Sequence, residues 1–164
     1  FAGPTVAQGF LLFQTRSLSA GIDAQVTFLD DTPVSAGYTA QLFAGPSDAP
    51  VLELAPLFPT TIFRTGPAAG YVESLVVGVP FEPEQVIAVV MRVYNGSDWE
   101  NSLCRGESKP INVEVGGQNP GSGLLYGLQP FQLNCVPEPN SILLLLLGGS
   151  FLVLIRRRIC QLPE

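Results

Sequence analysis

Turn-forming residues interrupt the apolar segments of this chain at short intervals, and this pattern limits the folds it can adopt. Proline, glycine, asparagine and aspartate cluster at 30–33, 45–48, 66–67, 95–98 and 116–117. Before the C-terminal tail, no 12-residue window of the chain has a clear 3.6-residue period. The pattern therefore predicts strands, which we place at 10–15, 25–29, 38–43, 61–64, 71–79, 86–94, 111–115 and 128–133.

Strands of this number and spacing predict an all-β fold for residues 8–133, an antiparallel β-sandwich similar to immunoglobulin or fibronectin type III domains. A small β-barrel is the alternative. Segment 86–94 is the most hydrophobic, so we expect it to be central and buried on both faces. Pro130 has no backbone N–H, so we expect segment 128–133 to be an edge strand at best.

The charge of the chain is unevenly distributed. Twelve of the 14 acidic residues, but only five of the eight basic ones, lie between residues 8 and 135. This acidic segment offers no basic surface for phosphate groups, so nucleic-acid binding is not expected.

Composition also argues against common catalytic machinery. The chain has no histidine, which removes the commonest general base and the commonest zinc ligand. No Gly-x-Ser-x-Gly elbow is present, so we expect a non-enzymatic protein without cofactor or metal. A small hydrolase that uses two carboxylates is the remaining catalytic alternative.

The C-terminal tail contains an uncharged apolar run, 142–155, which is followed by Arg156, Arg157 and Arg158. As a helix this run spans about 21 Å, less than the hydrocarbon core of about 30 Å. It is apolar on all sides, unlike a helix packed on a soluble core, and the arginines act as a cytoplasmic stop. Snorkelling arginines and local thinning of the bilayer accommodate a short span. We therefore predict a transmembrane helix and basic stop at 142–158.

A linker at 134–141 precedes this helix, and its prolines keep the chain extended beside the membrane, as a protease cleft requires. The linker contains the motif Val136, Pro137, Glu138 and Pro139. The order of motif, apolar run and arginine cluster closely resembles the PEP-CTERM sorting domain of Gram-negative bacteria. Two features depart from that family, since residues 159–164 continue beyond the arginines and Asn140 lies where Ser or Thr is common.

The resemblance implies that an exosortase, an integral-membrane cysteine protease-transpeptidase, recognises and processes the tail. Members of the family are linked to exopolysaccharide or biofilm matrix. We therefore expect an exported surface or extracellular-matrix protein, held in the inner membrane with its β domain outside until it is processed. Residues 159–164 are the expected cytoplasmic tail. At the other end, Thr5 and Ala7 in segment 1–7 fit the small-residue pattern at the end of a signal peptide.

The loop after segment 86–94 is the richest in polar and aromatic residues. Trp99 and Tyr94 offer a stacking surface for a sugar ring, and Asp98, Glu100 and Asn101 offer hydrogen bonds to its hydroxyls. This predicts an alternative function, a carbohydrate-binding module that holds exopolysaccharide through the Trp99 loop. A hairpin turn whose tryptophan plugs the edge of the core explains the same residues.

Two further side-chain groups have a chemical and a structural interpretation. The acidic pairs Asp30 with Asp31 and Asp98 with Glu100 offer oxygen ligands for Ca²⁺, but turn chemistry and solvation explain them without a metal. Cys104 and Cys135 both lie in the segment expected outside the cytoplasm, where disulfides persist, so a disulfide between them is one prediction. Two independent thiols are the alternative. Cys160 is expected to stay reduced on the cytoplasmic side.

Overall fold

A computed structural model describes residues 8–117 and 123–136 of the chain. These residues form an all-β fold with short 3₁₀ turns and no α-helix, which confirms the predicted fold class in its broad form. Within this part of the chain, no helix is long and apolar enough to cross a membrane. The strands are β1 (Gly9–Phe13), β2 (Arg16–Ser17), β3 (Ile22–Asp23), β4 (Val26–Phe28), β5 (Tyr38–Pro46), β6 (Ala55–Pro56), β7 (Thr61–Ile62), β8 (Leu75–Val79), β9 (Val86–Asn95), β10 (Cys104–Glu107), β11 (Ile111–Glu114) and β12 (Phe131–Cys135).

Several predictions concern segments outside the described residues. They are the signal-peptide remnant at 1–7, the transmembrane helix and basic stop at 142–158, and the cytoplasmic tail at 159–164. The same holds for part of the sorting motif and for the whole arginine cluster, namely Pro137, Glu138, Pro139, Arg156, Arg157 and Arg158.

Strand β9 lies in the middle of an eight-stranded sheet with the order β4-β12-β10-β9-β5-β6. On one side it pairs antiparallel with β5, from Tyr38 opposite Asn95 to Pro46 opposite Ile87. On the other side its two halves pair with β10 and β11. The prediction that the apolar segment 86–94 forms a central strand is confirmed.

Both faces of β9 are buried. One face belongs to the main core, which also contains side chains from β1 and β8 of a separate two-stranded sheet. The opposite face packs Ala88 and Val90 against Phe43 and Leu54. A continuous apolar sequence is needed here because neither face of the strand meets water. The residues that β9 contributes to the main core are Ile87, Val89, Met91 and Val93.

Strand β12 corrects three expectations. It pairs antiparallel with β10 but parallel with β4, so the sheet is not the purely antiparallel, immunoglobulin-like arrangement predicted from the strand spacing. Because β12 lies between these two strands, the prediction of an edge strand at 128–133 is wrong. The strand begins at Phe131, so the missing N–H of Pro130 does not interrupt its ladder. It also includes Asn134 and Cys135, which the sequence pattern places in the linker.

Strand β10 is not predicted by the sequence pattern, because charged residues flank Gly106 and the segment resembles a turn. Gly106 instead lies inside the sheet, between β9 and β12. A Cβ atom there would lie 2.7 Å from the backbone oxygen of Gln132 and 2.7 Å from Leu133 Cδ2. The glycine thus permits a close approach of β12. Strand β5 similarly continues to Pro46, through residues where the sequence predicts a turn.

Candidate functional site

The Trp99 loop, residues 96–103, joins β9 to β10 and is tied at its base by Asn95. Asn95 Oδ1 accepts hydrogen bonds from the backbone N–H of Cys104 at 3.1 Å and from Ser102 Oγ at 2.6 Å. The backbone N–H of Asn95 donates to Ser102 Oγ at 3.0 Å. Gly96 begins the turn at φ 88°, a left-handed conformation that glycine adopts without steric strain. The two ends of the loop are therefore held together by the residue that ends β9.

Asp98 is hydrogen-bonded within the loop. Its Oδ1 accepts from the backbone N–H and the side-chain Nδ2 of Asn101, each at 2.9 Å, and its Oδ2 accepts from Ser97 Oγ at 2.9 Å. These hydrogen bonds, first that from the Asn101 side chain, lower the pKa of the Asp98 carboxyl. Both of its oxygens thus satisfy donors of the turn, so a sugar hydroxyl would have to compete with Ser97 and Asn101. Glu100 is exposed.

Trp99 is half-buried against the outer face of the sheet. Its ring lies edge to face with Tyr94, with ring centroids 6.5 Å apart. The guanidinium carbons of Arg92 and Arg105 lie 5.1 and 5.3 Å from the indole, within cation–π distance. Arg105 also donates through Nη1 to the backbone oxygen of Trp99 at 3.1 Å. The structure therefore brings Tyr94 and Trp99 together, as the sugar-binding hypothesis requires, but it also surrounds the indole with arginines.

Tyr94 is 6% exposed and directs its hydroxyl away from the loop. The hydroxyl donates to Oε1 of buried Gln41 at 3.1 Å, and Gln41 Nε2 donates to the backbone oxygen of Leu57 at 3.2 Å. Burial raises the pKa of the Tyr94 hydroxyl, and the negative charge of Asp98 adds to this effect. Tyr94 therefore stabilises the domain with its hydroxyl and can offer a ligand only its ring.

A groove of about 540 Å³ lies on the outer side of the β4–β12 pair and was not predicted from the sequence. Four of its side chains are held in two hydrogen-bonded pairs. Tyr71 donates through its hydroxyl to Asp23 Oδ1 at 2.7 Å, and Gln132 Nε2 donates to Asp31 Oδ1 at 3.0 Å. Asp31 adopts φ 64° in the turn after β4. The sequence singles out the Asp30-Asp31 pair as turn residues, but it gives no sign that Asp31 is hydrogen-bonded to Gln132. The parallel pairing that brings these residues together has no short-range sequence signal.

The acidic pairs considered as Ca²⁺ ligands do not converge. The carboxylate of Asp30 accepts the backbone N–H of Thr32 at 3.0 Å, which is ordinary turn chemistry and lowers the pKa of Asp30. Within the described ranges 8–117 and 123–136, no group of three or more acidic or cysteine side chains is arranged to hold a metal ion.

Cys104 and Cys135 lie opposite each other on β10 and β12, and their Sγ atoms form a disulfide. The next residue, Val136, is 62% exposed, and its backbone N–H donates to the carbonyl oxygen of Leu103 at 2.8 Å. The predicted sorting motif thus begins where the sheet ends, one residue after the disulfide.

Comparison with known proteins gave no relatives: no protein-family model, no curated protein and no solved structure matches this chain.

Proposed function

We propose that this chain is an exported, non-enzymatic surface or extracellular-matrix protein that an exosortase sorts and processes through its C-terminal tail. The observation that carries the proposal is the order of three elements in the sequence. These are the Pro-Glu-Pro motif at 137–139, the apolar run at 142–155 and the arginine cluster at 156–158. In the proposal the apolar run forms a short membrane-spanning helix that holds the chain in the inner membrane until the tail is processed.

The disulfide between Cys104 and Cys135 supports export. Disulfides of this structural kind persist in oxidising compartments and are rare in the cytosol of most organisms. Its position also suits a domain attached at its C-terminus, because Cys135 ends the last strand and Val136 begins the motif. Mechanical force applied to the tail would reach β10 through the disulfide. The backbone hydrogen bonds of β12 would therefore not have to resist this force alone.

The exposure of Val136 supports access by a membrane protease. Proteases bind extended chain, and the prolines at 137 and 139 exclude a helix that would continue from the membrane into the domain. In the proposal, the β domain is the part of the chain that remains in the mature protein after processing. This domain is a sandwich-type scaffold in which two sheets share one core. Its composition, without histidine, supports a role in binding or structure and not in catalysis.

A second candidate function is carbohydrate binding through the Trp99 loop. The contact between Tyr94 and the half-buried indole of Trp99 favours it, because such aromatic surfaces stack against sugar rings. Binding to exopolysaccharide that disappears in Trp99→Ala, while the variant still unfolds cooperatively, supports this candidate. Unchanged binding in that variant excludes the loop as the site.

The sorting proposal is tested by expressing the chain in a host with a PEP-CTERM exosortase and in the same host lacking that enzyme. We expect the β domain at the cell surface or in the matrix of the first strain and in the inner-membrane fraction of the second. The same distribution in both strains would argue against processing by an exosortase.

A further inference from the structure

We infer that the groove beside β4 and β12 is a binding site for a neutral saccharide. The inference does not depend on exosortase processing, since it concerns only the described β domain. It assigns a ligand to a different place from the Trp99 loop, so the two can be separated by substitution. The groove walls include Asp23, Gln25, Asp31, Tyr71, Phe131 and Gln132.

The size of the groove fits a small ligand. Its volume of about 540 Å³ falls within the range of roughly 300–1,000 Å³ that is usual for small-molecule sites. Most sites for apolar ligands are enclosed by hydrophobic side chains, whereas this groove is shallow and has several polar walls. That combination suits a ligand whose edge carries polar groups and which remains partly in solvent, as a short saccharide does.

The polar side chains of the groove are positioned before any ligand arrives. Asp23 accepts a hydrogen bond from the Tyr71 hydroxyl. On the β4–β12 side of the groove, Asp31 accepts a hydrogen bond from Gln132 Nε2. Gln25 Nε2 donates to the backbone oxygen of Ala69 at 3.1 Å. Fixed side chains lose little conformational freedom on binding, which favours affinity for a weakly held ligand.

The remaining hydrogen-bonding atoms of these side chains are mainly acceptors. The bonds above use Oδ1 of each carboxylate and one of the two N–H donors on Nε2 of each glutamine. Within the described part of the chain, no protein hydrogen bond reaches the Oδ2 atoms of Asp23 and Asp31 or the Oε1 atoms of Gln25 and Gln132. Acceptors in this number require a ligand with several donors, and the hydroxyls of a sugar supply them.

The charge and the apolar residues of the groove narrow the ligand class. Two carboxylates repel uronates, sulfated sugars and phosphate esters. Half-buried Phe131 and exposed Pro130 supply an apolar surface for the C–H face of a pyranose ring. Arg16 is the register partner of Asp23 on the β2–β3 ladder, and its guanidinium carbon lies 4.8 Å from the centroid of the Tyr71 ring, so one positive charge lies beside this wall of the groove. A neutral saccharide fits these walls better than an anionic or a cationic one.

The test is isothermal titration of the purified full chain, in a detergent without a sugar head group. The probes are neutral trisaccharides of glucose, mannose and galactose, with trisaccharides of galacturonate and glucosamine as charged comparisons. We expect at least one neutral trisaccharide to bind, no binding of galacturonate, and recovery of the bound saccharide intact.

Two variants test the groove without disturbing the core. Thr27 is half-buried on the outer side of β4, opposite Gln132, and Thr27→Tyr keeps strand propensity while filling the groove. We expect it to abolish binding. Asp31→Asn keeps a residue type that tolerates positive φ and should weaken binding about tenfold, because a charged acceptor is replaced by a neutral one.

Trp99→Ala is the matched control and should bind as the unaltered chain does. The inference is overturned if none of the neutral trisaccharides binds, or if Thr27→Tyr binds normally. It is also overturned if Trp99→Ala alone loses binding, which assigns the saccharide to the loop. Salt-sensitive binding of the glucosamine trisaccharide alone also overturns the inference, because it indicates a site for cationic ligands. Cleavage of the bound saccharide overturns it too, because it indicates a hydrolase.

Discussion

Cys104 and Cys135 face each other directly across β10 and β12, and their disulfide closes a sequence separation of 31 residues. The enclosed segment contains β11 and the loop that leads to β12, so the bond fixes the last strand to the centre of the sheet. Residues after this strand form the tail, and the disulfide therefore lies at the end of the folded domain from which the proposed membrane anchor extends.

Removal of the disulfide should destabilise the domain. A loop of this length is expected to contribute about 3 to 4 kcal/mol by restricting the unfolded chain. We expect the Cys104→Ser, Cys135→Ser double variant to lose about that much free energy of unfolding in a urea titration. Reductant should lower the stability of the unaltered chain to the same level and leave the double variant unchanged. No effect of reductant on the unaltered chain would contradict this assignment.

Tyr94 should make the domain sensitive to alkali. Burial raises the pKa of its hydroxyl above the usual value of 10.0. The folded protein therefore keeps this proton at a pH where the unfolded chain has lost it, and stability should fall as pH rises above that value. Tyr38 and Tyr71 act in the same direction, since burial raises the pKa of Tyr38 and the hydrogen bond to Asp23 raises that of Tyr71.

Tyr94→Phe separates the contribution of this residue from those of the others. At neutral pH the variant should lose about 1 to 3 kcal/mol, because Gln41 Oε1 stays buried without its donor. Above the usual tyrosine pKa the variant should lose less stability than the unaltered chain. Urea titrations at neutral and alkaline pH measure both effects, with Tyr126→Phe at an exposed position as the control. Equal alkaline losses in all three proteins would contradict the role given to Tyr94.

Gly106 should not tolerate a side chain. An added Cβ meets the Gln132 backbone oxygen at 2.7 Å, and backbone cannot move aside as a flexible side chain can. We expect Gly106→Ala to destabilise the domain by about 1 to 3 kcal/mol. Gly117→Ala is the matched control, since the nearest atom to its added Cβ is Pro83 Cβ at 4.0 Å. Thermal unfolding of the two variants at similar midpoints would show that β12 does not approach Gly106 this closely.

Arg92 should be sensitive even to a substitution that keeps its charge. Its guanidinium lies 4.3 Å from the Phe43 ring and 5.1 Å from the Trp99 ring, and its Nε donates to Glu107 Oε2 at 2.5 Å. A lysine keeps the charge but not the planar group, so we expect Arg92→Lys to cost about 1 kcal/mol. Arg64→Lys, at an exposed position, should unfold at the same urea concentration as the unaltered chain. A loss in Arg64→Lys as large as that in Arg92→Lys would refute the stacking argument.

Sequence patterns predicted the parts of the fold that depend on local hydrophobicity. The apolar run at 86–94 predicted β9 because burial on both faces removes polar residues from a strand. Strand β10 was missed because Arg105, Gly106 and Glu107 have the composition of a turn, and only the contact with Gln132 explains the glycine.

The candidate sites differ in the same way, because one is formed by residues close in the sequence and the other by residues far apart. Asp98 and Trp99 could be selected from one short polar and aromatic loop, although the bonds that engage Asp98 are visible only in the structure. The groove depends on the contact between Asp31 and Gln132, which are separated by 101 residues and meet through a parallel pairing of β4 and β12. No motif in the sequence marks such a pairing, because parallel strands are joined by long connections and not by a recognisable turn.

Processing of the tail is measured most directly by the intact mass of the mature protein. The chain is expressed in a host with a PEP-CTERM exosortase, together with a variant in which Pro137, Glu138 and Pro139 are replaced by alanine, and with Asn140→Ser as a control that keeps the motif. We expect the unaltered chain and Asn140→Ser to lose the segment that contains 142–158, and the triple-alanine variant to retain it. Recovery of the unaltered chain with Arg156, Arg157 and Arg158 still attached would contradict the proposal.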